Sequence, residues 1–229
     1  VACPSVRSQM RCPLCGRRKA KRFCPAKAKT ICPVCCGGKR LVEIDCPSDC
    51  QYLVEGERYR QKKVVRSRIR REGVRSYVRR AELFNLHPEL FHLIEGVMAE
   101  YAWAKGRGLS NRDLKVGLEA AAKTLATEES GLLYRHSSEN PLADELSARL
   151  LEAIGRLKAA GRLRPPSLPQ SVSTARFVRS VLDEYRAEIE FFDEQESDPA
   201  SYVVYLKRMH PDRRPKGARS TGSIIIAGS

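Results

Sequence analysis

The chain has 229 residues, 42 % hydrophobic and 30 % charged, enough apolar material for one large domain or for a small module beside a medium one. No apolar run approaches the roughly 18–20 residues that span a bilayer, and VACPSVRSQMRC at the start lacks the apolar centre of a secretion signal, so the cytoplasm and no membrane partner are expected. The net charge of +15 is uneven: residues 1–80 hold 22 Lys/Arg against 6 Asp/Glu, residues 81–229 hold 20 against 21, and the first third is therefore expected to meet something acidic.

All nine cysteines lie in the first 50 residues. An odd count without a signal segment argues against a secreted disulfide scaffold and for metal ligation by thiolates. Cys12 and Cys15, then Cys32 and Cys35, form C-x2-C-x16-C-x2-C, a spacing that suits a four-cysteine zinc site. Each pair has proline after its first cysteine, and the glycine that follows lets the backbone turn its N–H groups toward the sulfurs. An iron–sulfur cluster is the alternative for four thiolates. Cys24, Cys36, Cys46 and Cys50 would make a second four-cysteine site, with Cys3 left over. Successive side chains of an extended strand point to opposite sides, so Cys35 would face one metal and the adjoining Cys36 the other. The plainer alternative is a single zinc, with Cys24 and Cys36 as small buried hydrophobes. With both sites filled, the charge of residues 1–50 falls from +8 to about +4. A ligand set made only of thiolates leaves no position for a catalytic water, so two structural zinc ions are expected.

After Cys50 the chain predicts a long basic helix, interrupted at Gly73, on which Arg58, Lys62, Arg66 and Arg70 recur every four residues. Its apolar stripe (Tyr59, Val65, Ile69) is ragged, which predicts exposure over much of its girth. Amphipathic helices follow. HPELFHLIEGVMAEYAWAK places Leu90, Phe91, Ile94, Val97, Met98 and Tyr101 on one face. The next opens at Ser110 as N-cap with Asp113 completing a capping box, and another opens at Asn140 with Pro141 in its first turn and closes at Gly161. RLRPPSLPQS is a linker that no helix crosses, and a long and a short helix come after it. The fold class expected is mainly α: a cysteine-rich zinc module over 1–52, a basic helix over 53–84, a helical bundle over 85–210, and a basic tail over 211–229 in which SIIIA adds a strand or docks in a groove.

In DCPSDCQYL, Pro47 suits a first helical turn that Asp45 or Ser48 would cap, which would set Cys46 and Cys50 on one helical face. A finger whose last ligands open a helix resembles the treble-clef class, and alternating C-x2-C pairs resemble the HIT and MYND fingers. That resemblance covers residues 12–50 and implies cross-bracing, although no histidine precedes His87 and Cys24 has no close cysteine partner. The layout, including CCGGKRLVEIDCPSDCQYL and KTLATEESGLLYRHSSENPLADEL, also looks like bacterial proteins that join a zinc finger to a helical domain, which implies the two-part architecture.

Catalytic groupings are thin. Glu89 and His92 have the spacing of one half of a di-iron pair with no second half, and Glu128, Glu129, Tyr134, Arg135, His136 and Glu139 gather at a helix end. No phosphate loop or hydrolase motif occurs. The expected function is non-enzymatic: a zinc-binding protein contacting nucleic acid, RNA included, through Arg17, Arg18, Lys19, Lys21, Arg22, Arg58, Lys62, Arg66 and Arg70. A protein–protein adaptor is the alternative, and an enzyme whose pocket joins His92 or His136 to carboxylates is the third reading.

Overall fold

A computed structural model describes residues 10–47 and 49–215. Cys3, Ser48 and the SIIIA segment lie outside the described residues. The described residues are mainly α, as the periodicity predicts, with one two-stranded sheet among them. Its elements in order are β1 (Arg22–Cys24), β2 (Lys29–Ile31), α1 (Pro33–Lys39), α2 (Gln51–Leu86), α3 (Pro88–Lys105), α4 (Asn111–Glu129), α5 (Pro141–Ala159), α6 (Thr174–Gln195) and α7 (Ser201–Met209). Contacts divide it into two compact units, parting within α2 between Lys62 and Lys63. No helix among the described residues is long and apolar enough to cross a membrane.

The N-terminal unit has little to bury. Its core is Cys12, Cys24, Ile31, Cys32, Cys35, Cys36 and Ile44, with Cys15, Cys46 and Tyr52 packed against it. β1 and β2 pair antiparallel with Arg22 opposite Ile31, Phe23 opposite Thr30 and Cys24 opposite Lys29, joined by a short 3-10 turn over Pro25–Lys27. The two-residue alternation of a strand puts Cys24 and Ile31 toward the core and Phe23 away from it.

The C-terminal unit has an ordinary apolar core. Leu90, Ile94, Met98 and Tyr101 of α3 meet Leu114 and Leu118 of α4, Leu146, Leu150 and Ile154 of α5, Val178, Val181 and Tyr185 of α6, and Tyr202 and Leu206 of α7. The predicted caps are in place. Ser110 and Asp113 exchange side-chain and backbone hydrogen bonds as a capping box, and the Asn140 side chain accepts from the N–H groups of Leu142 and Ala143. Gly131 (φ 82°) and Gly161 (φ 69°) turn the chain after α4 and α5 in the left-handed region that glycine enters without strain. The proline-rich connection is non-helical, as expected. It is held by Arg164, whose guanidinium donates to the carbonyls of Leu168, Pro169 and Val172 at 2.9–3.2 Å.

α2 carries non-helical angles at Gly73 (φ 81°, ψ 164°), where the sequence predicts an interruption. Beyond that break Arg80 donates to Glu188 at 2.6 Å and lies over the rings of Phe91 and Tyr185. Within the same unit Val64, Leu83 and Leu86 rest against the core.

α4 and α5 approach closely at Gly117. A Cβ there would lie 2.9 Å from the Ala143 carbonyl oxygen and 3.0 Å from Leu146 Cδ2. A backbone oxygen cannot swing aside, so Gly117→Val is expected to cost about 1–3 kcal/mol of stability despite removing a helix-weakening glycine. A urea titration of the variant should show a lowered midpoint with an unchanged slope.

Candidate metal centre and basic surface

The four cysteines of the two C-x2-C pairs converge. The sulfurs of Cys12, Cys15, Cys32 and Cys35 all lie within 4.8 Å of one another, and among the described residues no other group of three or more candidate ligands draws together as closely. Cys15 Sγ and Cys32 Sγ are 3.9 Å apart. All eight cysteines among the described residues are free thiols.

Two pieces of local structure bring the pairs together. The first is a turn in which the N–H groups of Cys15 and Gly16 donate to the Cys12 carbonyl at 3.3 and 2.8 Å, with Gly16 at φ 63°. The glycine after Cys15 thus has the turning role expected of it. The second pair sits at the start of α1. Cys32 is its N-cap, its Sγ accepting from the Cys35 N–H at 3.3 Å, and Pro33 fills the first turn where no N–H is required.

The doublet therefore stands on different ground from the expectation. Cys35 and Cys36 are helical rather than extended, and Gly37 and Gly38 continue α1 rather than turning the chain. Successive helical residues are rotated by about 100°, so the doublet still diverges: Cys35 is one of the four close sulfurs and Cys36 is not. A second correction concerns Cys46 and Cys50. α2 begins at Gln51, so Cys46 lies in the preceding loop and Cys50 immediately before the helix, and the two share no helical face. The Cys50 N–H is turned back onto the Pro47 carbonyl at 3.0 Å, which spends Pro47 on a turn ahead of the helix.

The thiols of the first site differ in acidity. Burial opposes ionisation of Cys12, but the N–H groups of Cys32, Leu14 and Cys15 outweigh it and hold the thiol below its ordinary value. The N–H groups of Arg17 and Arg18 bring Cys15 down to about 6. Burial pushes Cys35 up to about 12, and the neighbouring sulfurs of Cys32, Cys15 and Cys12 add to the rise. Four sulfurs this close cannot all carry negative charge without a cation among them. A metal ion of charge +2 meets that requirement, and the four residues fit one by ligand type, number and spacing.

The remaining cysteines are gathered more loosely. Cys24 and Cys36 are buried in the same small core and Cys46 packs against it. Burial pushes the Cys46 thiol up, and negative charge on Cys50, Cys24 and Cys36 pushes it the same way. Two arginines lie among them: Arg22, expected on the nucleic-acid surface, and Arg40, which the sequence did not single out. Arg22 points inward, its Nη1 3.7 Å from Cys36 Sγ and its guanidinium 4.9 Å above the Tyr52 ring. Arg40 is buried, donates to the Cys36 carbonyl at 3.4 Å, and fills the space where Gly56 of α2 has no side chain. A lone glycine inside a helix-forming stretch was the one sequence signal for this close approach.

The other predicted cations face solvent. Arg17, Arg18, Lys19 and Lys21 are exposed between the first cysteine pair and β1, and Arg58 and Lys62 are exposed on the part of α2 within the N-terminal unit. Arg66 and Arg70 are exposed on the part of α2 within the C-terminal unit.

Two clefts of the C-terminal unit are lined by described residues. One, of about 520 Å³, is walled by Leu125, Leu151, Ile154 and Val178, with Glu128, Glu129, Arg135 and Lys158 at its edge. Its acids are engaged: Lys158 donates to Glu128 at 2.6 Å, and Ser173 donates to Glu129. The other, of about 260 Å³, is lined by Tyr77, Arg80, Phe84, Phe91, Glu95 and Tyr185. Neither His92 nor His136 lines either cleft. His92 is exposed with its ring against Phe84, and Glu89 pairs with Arg162 at 2.7 Å. No protein family matches the chain, and neither a curated protein nor a solved structure does.

Proposed function

We propose that the protein is a zinc-stabilised, nucleic-acid-binding protein whose N-terminal unit supplies both the metal site and the contact surface. The observation that carries the reading is the convergence of Cys12, Cys15, Cys32 and Cys35, four thiolate ligands with no open position, a structural rather than a catalytic arrangement. Knuckle, hairpin and helix-borne second pair follow one another in the treble-clef order, with α1 as the helix. Zinc fits four sulfurs in a tetrahedron, and the surrounding unit needs it. A second zinc would be held by Cys24, Cys36, Cys46 and Cys50, of which Cys24 and Cys36 lie in the small core with Cys46 packed against it. Arg22 would then lie beside a metal-bound thiolate and offset its charge.

Residues 1–42 contain no Asp or Glu at all, and Arg17, Arg18, Lys19 and Lys21 stand exposed among them. Such a surface suits a phosphate backbone, with Arg58 and Lys62 adding two exposed charges on the start of α2. Elemental analysis of the purified chain should find two zinc ions per chain; one would restrict the reading to the first site, and iron would replace it. Affinity for mixed-sequence nucleic acid should fall by orders of magnitude between about 50 and about 200 mM salt. Undetectable binding at low salt, or binding that salt leaves unchanged, removes the nucleic-acid reading.

The adaptor alternative is favoured by one observation, the exposed run Leu132, Leu133 and Tyr134 between α4 and α5, where Leu133 is 98 % exposed. In that reading capture of a protein partner survives salt and is abolished by Leu133→Asp.

A further inference from the structure

We infer that the ligand of the N-terminal unit is single-stranded nucleic acid, gripped by base stacking on Phe23 as well as by charge. The inference rests on the nucleic-acid reading above and names the form of nucleic acid it concerns. The N-terminal unit is short of apolar material: its core has two isoleucines among its cysteines. Burying a phenylalanine is worth roughly 1.5–3 kcal/mol, and this unit has a single one, yet leaves it 59 % exposed. The hairpin enforces that position. Phe23 alternates with Arg22 and Cys24, which face the cysteine core, so its ring stands on the outer face with Thr30 across the ladder and the exposed Lys21 two residues back. Lys27 and Lys29, also exposed, belong to the same hairpin, and Arg17, Arg18 and Lys19 precede it.

An outward ring with Lys21 two residues back on its face, in a stretch of basic residues with no acid for 20 residues on either side except at Glu43, is the composition that holds an unpaired strand, phosphates on the cations and a base on the ring. A duplex offers its phosphates but no free base face, so it uses the charge and not the ring. Tyr59, 73 % exposed beside Arg58 and one turn before Lys62, provides a second ring of the same kind on α2. Tyr52, the remaining aromatic of the unit, is taken by Arg22 and is not free to stack.

The test uses the full zinc-loaded chain and a labelled mixed-sequence oligonucleotide at low salt, presented single-stranded and as a duplex. Single strand is expected to bind more tightly. Phe23→Ala should weaken it by roughly 5- to 150-fold, the range a lost base–aromatic stack gives, and leave duplex affinity unchanged. Phe23→Trp should keep the affinity and show quenching of the new indole on binding, beyond any change at Trp103. Because Phe23 lies outside the core, both variants should retain the zinc content and helical signal of the parent. Single-strand affinity indifferent to Phe23→Ala overturns the inference and leaves the phosphate reading standing. Loss of all binding in Arg17→Glu/Lys21→Glu supports the phosphate reading alone. If neither form of nucleic acid binds the parent, both fall, and the exposed ring is left to a protein partner.

Discussion

A chelator strong enough to take the metal from the four cysteines should unfold the N-terminal unit and leave the C-terminal helices folded. The reason lies in what remains when the metal is gone. The N-terminal core is then five cysteines and two isoleucines, with a three-residue strand on each side of one hairpin. A unit of this size cannot offset its chain entropy by apolar burial. Structural zinc contributes on the order of 10–16 kcal/mol in small fingers, more than the rest of such a unit supplies. Heating the zinc-loaded protein should give two transitions, and chelation should abolish the one that belongs to residues 10–62. Limited proteolysis read by mass should then show cleavage confined to that stretch. Cys35→Ser should act as chelation does, because it removes a ligand from the closely gathered site. Cys36→Ser should leave the four-sulfur site loaded and loosen the small core through the lost contact of Cys36 Sγ with Arg22. A metal-free chain with an unchanged melting profile would contradict the structural role.

Asn111→Ala should be among the costlier single substitutions in the C-terminal unit that leave its apolar core intact, at about 2–4 kcal/mol. Asn111 is the first residue of α4, buried to 1 % exposure, and its side chain serves a helix some 90 residues away in sequence. α7 has Ala200 at its N-cap, which offers no side-chain acceptor. Asn111 Oδ1 takes that place, accepting from the N–H groups of Tyr202 at 3.0 Å and Val203 at 3.4 Å, while its Nδ2 donates to Asp193 at 2.7 Å and to Ser201 Oγ at 3.0 Å. Alanine removes a cap worth about 1 kcal/mol and leaves buried partners unsatisfied at about 1–3 kcal/mol. Denaturant titration measures the total. Hydrogen exchange at the Tyr202 and Val203 amides separates this cause from a general loosening, since those two should lose protection first.

How much of this was legible in the sequence depends on the distance over which each feature acts. The metal quartet was legible because two C-x2-C pairs carry their own turn chemistry, proline and glycine included. The caps at Ser110 and Asn140 were legible for the same reason, each being decided within four residues. Asn111 as the cap of α7, and Arg80 bound to Glu188, were not, because they join residues brought together only by the packed helices. Arg22 counted as a free cation in the sequence, and nothing local said that Tyr52 and Cys36 would claim it. The backbone around the doublet was misjudged for a physical reason. PVCCGGK has two glycines and a β-branched valine, poor helix formers, yet an N-cap sulfur and a proline in the first turn suffice for seven residues of helix. Cys46 and Cys50 went the other way, where Pro47 closes a turn rather than opening a helix.

The 3.9 Å between Cys15 Sγ and Cys32 Sγ has a second side. Sulfurs gathered this closely can bond to each other as the metal leaves, before the unit unfolds, when an oxidant such as oxygen accepts two electrons and two protons. Metal loss in air then becomes a covalent event: the new disulfide removes two of four ligands, and adding zinc back no longer restores the site until a reductant has opened the bond. For such a fold the metal is also a protecting group, and its residence time sets how long the thiols stay reduced.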